Sequence, residues 1–417
     1  MVAGNLIDLC LSAKHILLLQ GPIGYFFKDF ADWLCEVQQK KVYKLNFNAG
    51  DKKFFSSALS NEYIFDYTDR IENFNVFLIT FCKKYEIDTI VCFGDNRPYH
   101  KVAKSVAYQF QYAFWVFEEG YFRPHYVTLE KGGVNAFSPI PRDKHFFLQQ
   151  ANKLKQLPTP IPVAKGFFPI AKLATCYYVY ARYKAKMFPN YKHHRKYNIS
   201  YYIKLWLISG IKRICNWPKE RIIIRKIRQG KLGDFYILPL QVYDDSQVRV
   251  HCDFDSVAQF LIYVLDSFVK HAPNSLKLIV KHHPMDRGFI SYKPIIQRYL
   301  SDYPQLQGRL FYVYDIPMPV LLRDGKAMVT LNSTSGLSAL IHDMPVITLG
   351  RANYDIPGIT HQGSLEEFWQ RPQKPDQEAF KAYHLYHLNK TQINGSFYNK
   401  VILPEEKLLE TDMKSVE

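Results

Sequence analysis

The sequence predicts an α/β protein of two Rossmann-like domains facing a cleft, with a basic, aromatic helical segment between them. Three observations lead there. Two separate series of short apolar runs alternate with segments of helical period. Pro158, Pro160 and Pro162 punctuate the chain between the two series. At 417 residues the chain is also too long for one ordinary core.

In the first series, residues 15–20 form an apolar strand and Gly21-Pro-Ile-Gly24 a turn. Residues 25–38 carry Phe26, Phe27, Phe30, Trp33, Leu34 and Val37 at helical spacing. Strands are predicted at 42–47, 89–94 and 113–117, and helices at 71–85 and 98–110. The last strand runs into Glu118-Glu119-Gly120. The second series predicts strands at 235–242, 276–281, 310–314, 327–331 and 346–349. Its helices fall at 254–271, 292–303 and 333–342. These limits give an N-terminal domain over 1–155, a connector over 156–233, a second domain over 234–365 and a polar, partly helical tail over 366–417. Ligands of such sheets gather at the carboxyl ends of the strands, so the cleft is the expected active site.

Composition narrows the class. Apolar residues make up 47% and charged residues 22%, the balance of a folded globular chain. No apolar run reaches the ~18–20 residues of a membrane span. The N-terminus lacks the basic start and long apolar stretch of a secretory signal. Seven scattered cysteines without a CxxC pair fit a reducing cytoplasm and argue against disulfides or zinc.

The net charge of +16 is concentrated. Residues 144–233 hold 20 Lys/Arg against one acid, Glu220, whereas the rest has 34 basic and 37 acidic residues. Tyr177, Tyr178, Tyr180, Tyr183, Tyr191, Trp206 and Trp217 are interleaved with the cations. Cations over an aromatic body suit an anionic lipid surface. Single-stranded nucleic acid is the rival partner, and a solvated connector with a basic face the plain alternative.

Several strand ends carry chemistry. Gly21 and Gly24 let a ligand approach the backbone before a helix start, or simply make a tight turn. Asp95 and Arg97, in Gly94-Asp-Asn-Arg-Pro98, could bind a carboxylate or hydroxyls; alternatively Asp95 caps the helix that starts at Pro98. Glu118 and Glu119 point to opposite sides of their strand, so one faces the cleft as a general base or nucleophile. Gln241, Asp244 and Asp245 would enter from the second domain, with Asp245 a candidate nucleophile, unless Asp-Asp marks a turn. In Lys281-His-His-Pro284, a His beside Pro and a Lys suit a phosphate. Adjacent histidines diverge and no third ligand is evident, which argues against metal. Asn332-Ser-Thr-Ser-Gly336 offers hydroxyls and free amides as a phosphate cradle, beyond what capping by Ser333 needs. Asp253-Phe-Asp255 reads as a helix cap.

Together and in order, GPIGYFF (21–27), GDNRP (94–98), FEEGYFRPHYVTLEKGGVN (117–135), PLQVYDDSQVR (239–249), KHHPMDRG (281–288) and LNSTSGLSALIHDMPVITLG (331–350) resemble the KpsS/LipB capsule polysaccharide proteins of Gram-negative bacteria. The likeness runs from about residue 15 to about residue 355. It implies a GT-B-like fold and a retaining β-Kdo transferase that needs no metal or other cofactor. The donor would be CMP-Kdo, and the acceptor phosphatidylglycerol or its lyso form. KHHP and NSTSG also resemble the motifs by which bacterial sialyltransferases hold CMP-sialic acid, and Glu118-Glu119-Gly120 resembles their acid/base motif. VYDD (242–245) is similar to the nucleophile segment of KpsC-type transferases, with Asp244 where a Gly is expected.

The roles implied are Asp245 as nucleophile, Glu119 as base with Glu118 as its substitute, and His283 with Lys281 at the leaving phosphate. His282, Gln241, Asn332, Ser333, Thr334, Ser335 and Gly336 would complete the donor site. Gly21, Gly24, Asp95, Arg97 and Arg123 would line the acceptor or sugar side. The protein would sit on the cytoplasmic face of the inner membrane, docked on anionic lipid beside other capsule-assembly enzymes and without nucleic acid. The alternatives are a GT-B transferase using another nucleotide donor (a UDP-sugar or CDP-alditol), or a non-catalytic export or scaffold protein.

Overall fold

The computed structural model describes residues 2–55, 63–154, 157–163, 166–192, 199–243, 252–409 and 412. Its strands, in chain order, are β1 His15–Leu18, β2 Lys41–Asn46, β3 Ile64–Asp66, β4 Thr89–Phe93, β5 Ala113–Glu119 and β6 Tyr126–Lys131. They continue with β7 Phe235–Pro239, β8 Lys277–Lys281, β9 Leu310–Val313, β10 Ala327–Thr330, β11 Val346–Thr348 and β12 Gln392–Asn394. The chain divides into two compact units. One gathers Met1–Ile140, Gln149–Tyr197 and Tyr383–Glu417; the other gathers Pro141–Leu148 and Asn198–Ala382.

The first unit holds a seven-stranded sheet in the order β12-β6-β5-β4-β1-β2-β3. β1 to β5 are parallel, and β6 and β12 close one side antiparallel. Both faces are covered, so its central strands read as continuous apolar runs. Ile16 and Leu18 join one core with Phe26, Phe30, Trp115 and Phe117. Leu17 and Leu19 join the opposite core with Phe47, Phe74, Ile90 and Val116. β1 lies between β2 and β4, so chain order reverses there, the position at which such sheets bind ligands beyond their carboxyl ends.

The second unit holds a wholly parallel sheet, β11-β10-β7-β8-β9, with its reversal at β7. Helix Val257–His271 covers it with Phe260, Leu261, Val264, Leu265 and Phe268. That helix is capped by Ser256, whose hydroxyl accepts the Gln259 amide at 3.2 Å. Asp253, read as part of the cap, instead pairs with Arg351 at 2.9 Å.

Most predicted elements lie within a few residues of those observed. Not predicted are helices Gly4–Ser12, Ala49–Phe54, Lys144–Ala151 and Met318–Asp324, and strands β3, β6 and β12. The basic segment contributes helix Phe167–Tyr183 to the first unit and helix Ile199–Arg228 to the second.

Candidate functional site

At the carboxyl edge of the first sheet, β5, β4 and β1 are neighbours, so Glu118–Glu119, Gly94–Arg97 and Gln20–Gly24 end side by side. The two glutamates take opposite faces, as strand geometry requires. Glu118 Oε1 accepts the Glu119 amide at 3.0 Å. Gly94 has φ +70°, which favours glycine there, and a Cβ would meet Glu118 Oε2 only in ordinary contact at 3.7 Å. Glu118 is only partly exposed, and burial pushes its carboxyl up to about 7, with Arg123 pulling it down and the Glu119 charge pushing it up. Glu119 accepts a 2.9 Å bond from the Tyr398 hydroxyl, supplied by the C-terminal tail.

The residues expected on the acceptor or sugar side take different partners. Asp95 is buried and lies 3.4 Å from Lys104 Nζ; burial raises its carboxyl above the ordinary range. It does not cap helix Pro98–Phe110, whose cap position is Arg97. Arg97 lies over the Phe93 ring, 5.5 Å from its centre, and reaches Gly21 O at 3.4 Å. Arg123 Nε donates to Gly120 O at 3.3 Å. Gly24 has φ +122°, a conformation that excludes other residues, so the backbone alone explains it. Gly21 makes room for Phe27, whose ring a Cβ would meet at 2.7 Å.

In the second unit, β10, β7 and β8 are adjacent, and their carboxyl ends carry residues 332–336, Gln241 and residues 281–283. Gln241 Nε2 donates to Asn332 Oδ1 at 2.8 Å and ties two of these loops together. Its own Oε1 is buried without a partner among the described residues. The Ser335 amide donates to Ser333 Oγ at 3.2 Å, and Thr334, at the cap position, makes no side-chain cap. Gly336 is needed because a Cβ would lie 2.3 Å from the Tyr354 hydroxyl, which bonds Ser333 O at 2.5 Å.

The two histidines diverge. His283 is partly exposed, and its Nδ1 accepts the Met285 amide at 3.2 Å, which assigns the ring proton to Nε2. His282 is wholly buried among Tyr292, Tyr312 and Tyr314 and shares a 2.7 Å bond with the Tyr312 hydroxyl. Burial lowers its pKa to about 4, so it is neutral at pH 7. Lys281 is also buried; its ammonium donates to Tyr314 O at 3.3 Å, and desolvation lowers its pKa. Asp286 accepts the Tyr243 amide at 2.6 Å and joins the loops after β7 and β8. Asp244 and Asp245 lie outside the described residues.

The basic helices hold their units by polar pins. Tyr177, on helix Phe167–Tyr183, takes bonds from Gln20 at 2.9 Å and Asn48 at 2.8 Å. Phe168 and Tyr183 on the same helix are 80% and 79% exposed. On helix Ile199–Arg228, Leu205, Ser209, Glu220 and Ile227 turn inward, while Leu207, Ile211, Ile214 and Trp217 form an exposed apolar stripe. Glu220, the lone acid of the basic segment, accepts the Tyr314 amide at 2.5 Å and the Asp315 amide at 3.0 Å. Its isolation in a cationic run was the one sequence signal for this pin. Glu220→Ala leaves two buried amides unpaired and is expected to cost about 1–3 kcal/mol, measured by denaturant unfolding; a change below a few tenths would contradict it.

Among the described residues, no group of three or more His, Cys, Asp or Glu could hold a metal ion. No described helix is long and apolar enough to cross a membrane.

The family model described as capsule polysaccharide biosynthesis protein matches residues 88–398. The capsule polysaccharide modification protein LipB of Neisseria meningitidis serogroup B is 52% identical over 409 residues, covering 98% of this chain and 97% of that one. This chain belongs to the capsule polysaccharide biosynthesis family. Within that family it also resembles the capsule polysaccharide export protein KpsS of Escherichia coli, at 40% identity over 95% of this chain and all of that one. Among solved structures, the Thermosulfurimonas dismutans KpsC β-Kdo 2,7 transferase aligns at 13% identity with a TM-score of 0.41, over 88% of this chain and 89% of that one.

Proposed function

We propose that this family member is a GT-B-like, retaining glycosyltransferase that moves Kdo from CMP-Kdo to phosphatidylglycerol or its lyso form. The observation that carries the reading is the grouping of Gln241, His283 and the 332–336 loop at the ends of three adjacent parallel strands of the second unit. Serine and threonine hydroxyls, amides and an imidazole N–H at one sheet edge suit a phosphate leaving group. Glu118 is favoured over Glu119 as the general base, because its carboxyl is tuned to about 7 while Glu119 is already bonded to Tyr398.

Asp245 would attack the anomeric carbon as CMP departs with the electrons of the broken C–O bond. Glu118 would then take the proton of the acceptor hydroxyl as that oxygen displaces Asp245 from the sugar, which restores the free carboxylate. Two displacements give net retention. The exposed apolar stripe and its flanking cations would seat the protein on anionic lipid at the cytoplasmic face of the membrane.

The test incubates the full chain with CMP-Kdo, generated in place, and a fluorescent phosphatidylglycerol, and follows the lipid by mass spectrometry. A gain of one Kdo is expected. CMP binding without product would overturn the acceptor, and absence of CMP binding would overturn the whole reading. The second outcome would favour a scaffold role, to which the name of the Escherichia coli relative, an export protein, also points.

A further inference from the structure

We propose that a cavity beside β12 in the first unit holds the glyceride-proximal part of one acyl chain of the lipid acceptor. This rests on the acceptor being a phospholipid, as proposed above. The cavity measures about 250 Å³. Leu6, Ile161, Leu388, Ile393, Ile402 and Leu403 give it an apolar wall. Among the described residues that line it, none is charged.

The polar side chains at its wall are engaged with the protein. The Tyr126 hydroxyl donates to Pro158 O at 3.1 Å. Gln392 accepts the Tyr121 amide at 3.0 Å through Oε1, and its Nε2 donates to Thr128 and Thr391, each at 3.0 Å. Asn394 accepts the Ile161 amide at 2.8 Å and donates to His125 O at 2.7 Å. An ordered water needs about two to four polar partners, whereas an apolar cavity of about 150 Å³ stays dry and takes benzene. The larger cavity here suits a hydrocarbon segment.

Its place and its rim make that segment an acyl chain of the acceptor. Glu119 is paired with Val127, and Val127 with Ile393, so the three form one row across β5, β6 and β12. Neighbouring strands lie about 4.8 Å apart, which puts Ile393 about 10 Å from the end of β5 that carries both glutamates. An extended phosphoglycerol headgroup covers that span. Val127 and Ile393 join the core of Phe117, so Ile393 borders the cavity on the face that Glu119 takes. At the rim Ile161 is 58% exposed, and Leu157, just before the rim residue Pro158, is 48% exposed. An acyl chain longer than the cavity can leave over these side chains toward the bilayer.

The experiment binds a dodecanoyl-lysophosphatidylglycerol with a diazirine in its acyl chain to the native full-length protein, photolyses it and maps the adducts by mass spectrometry. Adducts at residues 2–6, 158–161, 388–394 or 402–404 are expected. Adducts only elsewhere, such as on the exposed stripe at 207–222, overturn the inference. Calorimetry then compares glycerophosphoglycerol, dodecanoate and hexanoyl- to dodecanoyl-lysophosphatidylglycerol on the native protein, Ile161→Asp, which charges the rim, and Val2→Trp, which fills the cavity. Native affinity should rise about fourfold per methylene while the cavity fills. Each variant that keeps the native thermal transition should lose about tenfold or more in dodecanoyl-lipid affinity and none for glycerophosphoglycerol. Headgroup binding that gains nothing with acyl length overturns the inference while the acceptor reading stands. Dodecanoate bound as tightly as the dodecanoyl lipid overturns the phospholipid as source. A native protein that binds neither glycerophosphoglycerol nor any of the lipids overturns the acceptor reading itself.

Discussion

Replacing Glu118 by Gln is expected to lower turnover by about 10²–10⁴-fold while leaving CMP binding intact. In the native protein, a base that burial has tuned to about 7 must lose its proton before it can accept another. Activity at limiting acceptor should therefore rise with pH through about 7 and level off above it. The Gln variant should show no such limb. Glu119→Gln should lose far less and keep the limb, because Glu119 only receives the Tyr398 hydroxyl. If the limb persists in Glu118→Gln and vanishes in Glu119→Gln, the assignment is reversed. Stability supplies a second readout. Between the ordinary value of 4.5 and about 7, folded Glu118 keeps a proton that the unfolded chain has released. Stability therefore falls as pH rises across that window, and Gln should remove this contribution to the slope.

The second large effect separates neighbours in sequence. His283→Ala is expected to fold normally and to lose about 10²–10³-fold in turnover, the size reported by removing one donor that stabilises developing charge. His282→Ala should instead lower stability by about 2–4 kcal/mol, because it empties a site enclosed by three tyrosine rings and removes one partner of the Tyr312 hydroxyl. Unfolding curves and transfer rates on the two variants decide it. Equal losses of stability in both would show that the pair acts as one packed unit.

These contrasts mark what could be read from the sequence. Runs such as residues 15–20 and 89–94 announce buried parallel strands by their own composition, and the strand ends place the motif residues at two sheet edges. Divergence of adjacent histidines follows from strand alternation, but which one is buried does not. That depends on Tyr292, Tyr312 and Tyr314, brought in from β9 and its neighbours. The same limit hid β6. Its six residues follow a Gly and an Arg-Pro turn, and its outer partner, β12, is three residues long and lies in a polar tail. Lys281 looked like a free cation because a sequence shows charge and not the carbonyl on which it is spent. The two glutamates could not be ranked either, since the Tyr398 contact spans 279 residues.

The late arrival of β12 has a consequence for how the chain is made. Thr128 on β6 waits 264 residues for Gln392, whose side chain bonds both Thr128 Oγ1 and the Tyr121 amide. At ordinary elongation rates that is on the order of tens of seconds on the ribosome. During that interval the β6 edge, with its unpaired amides and carbonyls, is open to neighbouring nascent chains. A stop codon before β12 would make the exposure permanent. Such truncated chains should enter inclusion bodies even though every transfer motif named above has been translated.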